Sequence, residues 1–112
     1  MATTINALIK NGLKDIGVPV VPDYYDGTRT EYIVFNSMMR PYIFSDDFPY
    51  SLIYEITVHY VCPPKKNAIA TRENIIRAIY ELDGTYPEET NASTEDEQHY
   101  IYEFEIAGDT IV

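Results

Sequence analysis

The chain has 112 residues, which is enough for one domain with a modest core. Its 46% hydrophobic and 13% aromatic content predicts a folded domain, because disordered acidic chains lack such residues. A net charge of −10 argues against a nucleic-acid groove or an anionic membrane surface as the partner, since both require clustered lysine and arginine.

Cys62 is the only cysteine, so neither an intrachain disulfide nor a cysteine-based metal site is expected within one chain. The amphipathic N-terminus does not resemble a secretory signal, and no apolar run approaches the length of a transmembrane helix. The expected compartment is the cytosol.

The first predicted element is an amphipathic helix that Thr3 or Thr4 can cap and Gly17 ends. Its apolar residues recur at helical spacing: Ile5, Leu8, Ile9, Leu13 and Ile16. Residues 18–21 are predicted as a short edge strand, because two nearby prolines limit its pairing. Residues 23–30 are predicted as a turn region.

Two strands and an aromatic segment follow. Residues 32–39 are apolar on both faces, which favours a central strand. Residues 40–50 interrupt the sheet with two prolines, two adjacent aspartates and four aromatics, and are either a hairpin extension folded over the sheet or a contact arm. Residues 51–62 alternate strictly, which predicts a long strand with one buried face. That face carries Leu52, Tyr54, Ile56, Val58 and Tyr60.

The C-terminal half begins with a second helix, which Asp83-Gly84 ends. Its 3–4 spacing is set by Ile69, Arg72, Ile75, Ile76, Ile79 and Leu82. Residues 88–97 are acidic and lack an apolar anchor, which predicts an exposed, mobile loop, with room for a short strand near Tyr86. Residues 99–106 alternate again and predict the last strand.

These elements predict a single domain over residues 1–112 of the α+β class. We expect an antiparallel sheet of four to five strands with two helices packed on one face. The other sheet face carries charge toward water or a partner.

Candidate catalytic and metal-binding residues are few. His59 and His99, with Glu103 or Glu55, offer a loose metal site, but surface strand positions are the favoured interpretation. Adjacent residues such as Asp46 and Asp47 seldom converge on one atom as general acid and base. The sequence also contains no phosphate-binding loop and no nucleophile elbow. We therefore expect no catalytic residue, no cofactor and no metal.

The acidic run has two interpretations, a solvated loop or a negatively charged surface facing DNA or a basic protein. Its carboxylates are Glu88, Glu89, Glu95, Asp96 and Glu97. Carboxylates repel a phosphate backbone over about 8 Å at physiological salt, so a pore lined by them lets DNA slide without capture.

Several segments carry a resemblance to a known family through their order, spacing and length. They are the short helix running into Gly17-Val18-Pro19-Val20, Tyr32-Ile33-Val34-Phe35-Asn36, Ser45-Asp46-Asp47 before the strand Tyr54–Cys62, the helix Glu73–Leu82 closing with Asp83-Gly84, and the strand His99–Ile106. In this arrangement the chain resembles the small tail-completion, or tail-terminator, proteins of long-tailed bacteriophages and related prophages.

The resemblance implies a virion protein of the tail or neck, assembled in the bacterial cytoplasm, without enzymatic activity. Such proteins form hexameric rings that cap the tail tube, stop its polymerisation and present a surface to the head connector. The implied partners are other copies of the chain, the tail-tube protein and a head-side connector, while DNA passes without specific binding.

Within such a ring we assign residues 40–50 to subunit or partner contact and the acidic run to the lumen. The assigned contact residues are Tyr42, Phe44, Asp46, Asp47, Phe48 and Tyr50.

Three alternatives remain. A neck, or head-completion, adaptor shares the fold class and the ring. An acidic inhibitor that mimics DNA requires carboxylates spaced like phosphates across one face. A small hydrolase using Asp46, Asp47 or His59 requires a pocket, for which the sequence offers no support.

Overall fold

The structure is a computed structural model that describes residues 4–42, 51–82 and 84–108, apart from the side chains of Tyr42 and Ser51. The elements in chain order are helix α1 (Ile5–Leu13, continued by a 3-10 turn at Lys14–Ile16), β1 (Val20–Pro22), β2 (Tyr32–Tyr42), β3 (Ser51–Cys62), helix α2 (Ile69–Tyr80), β4 (Glu88–Asn91) and β5 (Gln98–Ala107). The five strands form one sheet in the order β1-β2-β3-β5-β4, and the fold is α+β as predicted.

The sheet is mostly antiparallel, but β1 pairs with β2 in parallel, which the sequence analysis did not anticipate. The physical reason lies in the connection. Antiparallel neighbours need only a tight turn, whereas the chain between Pro22 and Tyr32 is long enough to return to the same end of the sheet. Strand β1 lies at the edge of the sheet, as predicted from the prolines in and before it, because proline has no backbone N–H to donate to a second neighbouring strand.

Both helices lie on one face of the sheet and pack against each other. The Thr4 hydroxyl accepts a hydrogen bond from the Ala7 amide at 3.1 Å and so caps α1. Gly17 ends the 3-10 turn at a φ of 94°, a conformation that favours glycine. A Cβ on Gly12 would lie 2.7 Å from the Leu82 side chain, so glycine permits the close approach of α1 to the end of α2.

The core forms between the helices and the face of the sheet that the alternation predicts. Its largest fully buried side chains include Tyr60, Tyr102 and Phe35 from the strands and Ile9 and Ile75 from the helices. The alternation predictions for β3 and β5 are therefore confirmed.

More residues of α2 were predicted to face the core than do so in the structure. Ile75 and Ile79 are buried, but Ile69 and Ile76 are exposed. The buried stripe is centred on Ile75 and Ile79, which leaves Ile69 and Ile76 at its solvent side.

Two strand boundaries also differ from the predictions. Strand β2 continues to Tyr42, which pairs with Ser51, whereas it was predicted to end at Met39. Residues 88–91 form β4, although the whole acidic run was predicted as a mobile loop. Strand β4 forms because its backbone pairs with β5 and because the Glu89 carboxylate accepts hydrogen bonds from Arg72 on the helix side.

Candidate functional surface

One face of the sheet carries no helix in the described part of the chain, and we call it the open face. The register aligns its side chains in rows across β2, β3, β5 and β4. We call the end of the sheet at which β2 begins the proximal end, and the other end the distal end. From the proximal end the rows are Tyr32, Val61 and His99; Val34, His59, Ile101 and Thr90; Asn36, Thr57, Glu103 and Glu88; Met38, Glu55 and Glu105; and Arg40, Ile53 and Ala107.

The proximal end of the open face is partly covered by residues 23–31. The rings of Tyr25 and Tyr32 stack with centroids 4.4 Å apart, and Val61 beneath them is buried. Burial, with Glu97 and Tyr25 nearby, raises the pKa of the Tyr32 hydroxyl. Residues 23–31 therefore shield part of this end of the open face from solvent.

The middle and distal rows carry an excess of negative charge. Arg40 reaches Glu55 at 3.3 Å and Glu105 at 3.2 Å, so these two carboxylates share one guanidinium. Glu88 and Glu103 lie directly opposite each other on β4 and β5, an arrangement that destabilises a sheet unless water or a cation screens it. The four carboxylates line a depression of about 390 Å³ between Met38 and Tyr86. The open face therefore suits a basic protein surface and repels a phosphate backbone.

The two histidines meet on this face, as their predicted surface positions allow. His59 Nδ1 lies 2.9 Å from His99 Nε2, within hydrogen-bonding distance when one ring is neutral. Burial and the neighbouring His99 lower the pKa of His59, against the opposing effect of Glu103. In residues 4–42, 51–82 and 84–108, no three histidine, cysteine or acidic side chains are grouped to hold a metal ion.

Two methionines at the distal end of the β2–β3 hairpin are mostly exposed, one on each face of the sheet. We define the hairpin end as residues 38–42 and 51–55, which pair from Met38 with Glu55 to Tyr42 with Ser51. Met38 points to the open face and Met39 to the helix side, yet they are 68% and 64% exposed. In the described part of the chain the helices therefore do not cover Met39, although Tyr54 beside it packs against the core.

The molecule is elongated. The molecule measures 54 × 27 × 23 Å, and its radius of gyration is 15.2 Å, against about 13 Å for a compact chain of this length.

The predicted contact residues fall at or beyond this hairpin end. Tyr42 closes β2, but its side chain is outside the described part. Phe44, Asp46, Asp47, Phe48 and Tyr50 all lie outside the described residues.

The five residues assigned to an acidic lumen do not share one surface. Glu88 and Glu89 alternate, with Glu88 on the open face and Glu89 on the helix side. Glu95 and Asp96 are exposed in the connection to β5, and Glu97 packs near Tyr32. That connection is closed by a hydrogen bond from the Thr94 amide to the Glu97 carbonyl at 2.9 Å.

Glu89 belongs to a structural network instead. Arg72 donates to its carboxylate at 2.7 and 3.0 Å, and the Tyr102 hydroxyl donates at 2.6 Å. The hydrogen bonds from Arg72 lower the pKa of Glu89 despite partial burial, and Tyr102 adds to the effect. The same guanidinium lies 4.2 Å from the centre of the Tyr100 ring. This carboxylate ties β4 and β5 to α2 and is not available to a lumen.

A second network closes the proximal end of the helix side. Lys66 reaches Glu31 at 2.6 Å, and the Tyr60 hydroxyl donates to the same carboxylate. Burial alone raises the pKa of Glu31, but the hydrogen bonds from Lys66 and Tyr60 outweigh it and lower the pKa. Burial likewise raises the pKa of the Cys62 thiol, which does not favour a reactive thiolate.

Sequence reasoning missed two groups of exposed apolar residues, Met38 and Met39 on the hairpin and Ile69, Ile76, Tyr80 and Tyr86 on and after α2. The sequence carried no signal for the second group, because adjacent apolar residues in a helix, such as Leu8 and Ile9 of α1, can both pack on one core. No helix in the described part has the length and apolar character needed to cross a membrane.

No protein-family model and no curated protein matches the chain. Nine chains of solved structures match it. One of them has a TM-score of 0.59 at 11% sequence identity, and the match covers 90% of this chain and 84% of that one. At this identity the likeness concerns the fold alone.

Proposed function

We propose that the protein is a structural subunit of the tail of long-tailed bacteriophages, without enzymatic activity. In this proposal it forms a ring, expected to be a hexamer, that caps the tail tube, ends its polymerisation and joins the tail to the head connector. The sequence resemblance suggests the role, and the exposed surfaces of the molecule support it.

The observation that carries the proposal is the exposure of Met38 and Met39 at the hairpin end. Met38 and Met39 lie on opposite faces of two long paired strands, and both are mostly exposed. Apolar side chains on both faces of one hairpin are costly to leave in water, and a neighbouring molecule can bury them together. Such exposure is expected of a subunit that buries these side chains against a neighbouring subunit.

The distribution of charge supports a ring through which DNA passes. The chain has a net charge of −10, and four of its carboxylates lie together on the open face: Glu55, Glu88, Glu103 and Glu105. Carboxylates on a lumen wall repel the phosphate backbone, which favours passage over binding. The structural tie of Glu89 to Arg72 removes that residue from the proposed lumen, whereas Glu88 lies on the open face and stays in it.

The experiment is a tube-length assay with the tail-tube protein of a phage that carries this gene. We expect the purified protein to limit the length of growing tubes and to remain at one tube end. The variant Met38→Ser/Met39→Ser should fold normally and lose this effect, because its hairpin no longer offers apolar surface.

The matched control is Met38→Leu/Met39→Leu, which keeps the apolar volume and should cap tubes as the unmodified protein does. Tubes of unlimited length in the presence of the unmodified protein would contradict the role of tail terminator. If the protein instead bound only the head connector, the neck adaptor would replace it.

A further inference from the structure

Two histidine side chains meet on the open face, and the proposed tail function does not use them. His59 lies in β3, and His99 lies near the start of β5. His59 pairs with Ile101 and His99 pairs with Val61, so the two histidines are diagonal neighbours on adjacent strands. His59 Nδ1 lies 2.9 Å from His99 Nε2, and the ring centroids are 5.1 Å apart. Two imidazole nitrogens this close can share a proton or bind one metal ion.

The backbone on both sides of the pair is fixed by the sheet. Strand β3 has paired strands on both sides, since His59 lies opposite Val34 of β2 and also pairs with β5. The His99 amide donates to the Ser93 hydroxyl at 3.0 Å, and the His99 carbonyl accepts from the Ala92 amide at 2.8 Å. Paired strands hold metal ligands more rigidly than loops do. To aim both nitrogens at one ion, the rings need only rotate about χ2, which is a soft torsion.

The separation of the two nitrogens matches neighbouring positions around a metal ion. Bonds from an imidazole nitrogen to such an ion are about 2.0–2.1 Å long, so two nitrogens 2.9 Å apart subtend about 90° at the ion. This is the angle of a square-planar or octahedral site, and Cu²⁺ and Ni²⁺ favour such sites. A tetrahedral Zn²⁺ ion would require the two nitrogens to lie about 3.3–3.4 Å apart.

The histidine pair faces a depression that has room for further ligands. This depression of about 370 Å³ is lined by both histidines, Asn36, Asp23 and Glu97. Two carboxylates in one depression raise the local concentration of cations. Among the described residues, no third histidine, cysteine or carboxylate is grouped with the pair to hold an ion, so water supplies the other ligands.

We propose that His59 and His99 form a two-histidine site for a divalent transition-metal ion of the Cu²⁺ and Ni²⁺ class. His59 binds the ion through Nδ1 and His99 through Nε2. In the metal-free pair one of these nitrogens carries the proton of the hydrogen bond, and this proton moves to the other nitrogen of the same ring when the ion binds. The bound ion joins β3 to β5 and so stabilises the folded chain. This site does not depend on the proposed ring.

Isothermal titration calorimetry of the untagged full chain with Cu²⁺, Ni²⁺ and Zn²⁺ tests the site, at about pH 7.5, where imidazole is neutral. We expect one ion per chain, with Cu²⁺ bound more tightly than either of the other ions. His59→Gln and His99→Gln should each weaken binding at least about tenfold, because even the loss of a side chain that only orients a metal ligand costs that much. A saturating concentration of Ni²⁺ should raise the Tm of the unmodified protein and leave the Tm of both variants nearly unchanged.

The matched control is Glu55→Gln/Glu105→Gln, which removes two carboxylates from the distal end of the same face. This variant should bind Ni²⁺ as the unmodified protein does. Asp23→Asn/Glu97→Gln should weaken binding less than either histidine variant does, since these carboxylates act only through their charge. Circular dichroism of each metal-free variant verifies that it is folded.

The electron paramagnetic resonance spectrum of Cu²⁺ on the unmodified protein gives an answer that does not depend on any variant. Two equatorial nitrogen ligands support the site, and coordination by oxygen alone overturns it. Four calorimetric results would also overturn it: no measurable binding of Cu²⁺ or Ni²⁺, binding that both histidine variants retain, binding that the glutamate control loses, and one ion per two chains. In the last case the ion would lie between copies.

Discussion

The carboxylates on the two faces of the sheet have different partners. On the helix side, Glu89 and Glu31 each bind a cation and a tyrosine hydroxyl. On the open face, Glu88 opposes Glu103, and Glu55 and Glu105 share Arg40. The first arrangement stabilises the isolated molecule, whereas the second stabilises it little or not at all. The carboxylates of the open face therefore add little to the stability of the isolated molecule.

The largest expected difference between the faces comes from isoleucines of the same strand. Ile106 of β5 is fully buried, so Ile106→Ala should lower the free energy of unfolding by about 2–5 kcal/mol. Ile101 of the same strand lies on the open face and is half-buried, so Ile101→Ala should cost less than half as much. Urea denaturation of the two variants measures the difference. Equal losses would mean that the open face is packed like a core.

A smaller difference is expected from two glutamates. Glu89→Gln should lower the free energy of unfolding at neutral pH by about 1–2 kcal/mol, because Arg72 and Tyr102 lose a charged acceptor. Glu103→Gln removes one of two opposed charges and should be neutral or stabilising by less than about 1 kcal/mol. A destabilisation by Glu103→Gln as large as that by Glu89→Gln would remove the distinction between the faces.

The pH dependence of the Glu89 effect follows from its lowered pKa. A carboxyl with a lower pKa in the folded state contributes stability above its ordinary pKa, and this contribution is lost as the pH falls through the folded value. The stability difference between the unmodified protein and Glu89→Gln should therefore stay constant above about pH 6 and shrink in acid. A difference that grows on acidification would contradict this assignment.

The smallest expected effect concerns the histidine pair. Because the pKa of His59 is lowered in the folded state, the unfolded chain takes up a proton more readily, and stability falls as the pH drops below about 6.5. His59→Gln should flatten the stability profile between pH 5 and about 7. Thermal unfolding across that range measures it, and an unchanged profile would exclude His59 as the cause.

The sequence predicted the elements whose pattern depends on one buried face. The alternation of β3 and β5 and the stripe of α1 are direct consequences of such burial, and they were located nearly to the residue. The parallel pairing of β1 was missed because its direction depends on the path of residues 23–31, which no local pattern encodes. Strand β4 was missed because its stability comes from β5 and from Arg72, both distant in sequence.

The candidate surfaces were predicted less well than the fold. The charged open face followed from alternation, and the approach of His59 to His99 followed from the pairing of their strands. The division of the acidic run among three surfaces, however, depends on a strand that was predicted as a loop. The exposure of Ile69 and Ile76 became visible only when the packing of α2 had fixed which isoleucines are buried.

The central claim is that this chain functions by assembling copies through exposed apolar surfaces. Its most direct test is native mass spectrometry of the purified protein over increasing concentration and in the presence of tail tubes. We expect a single closed species, at a whole multiple of 12.9 kDa, that Met38→Ser/Met39→Ser abolishes and Met38→Leu/Met39→Leu retains. A 12.9 kDa monomer under every condition, or a ring that persists unchanged in the serine variant, would contradict the claim.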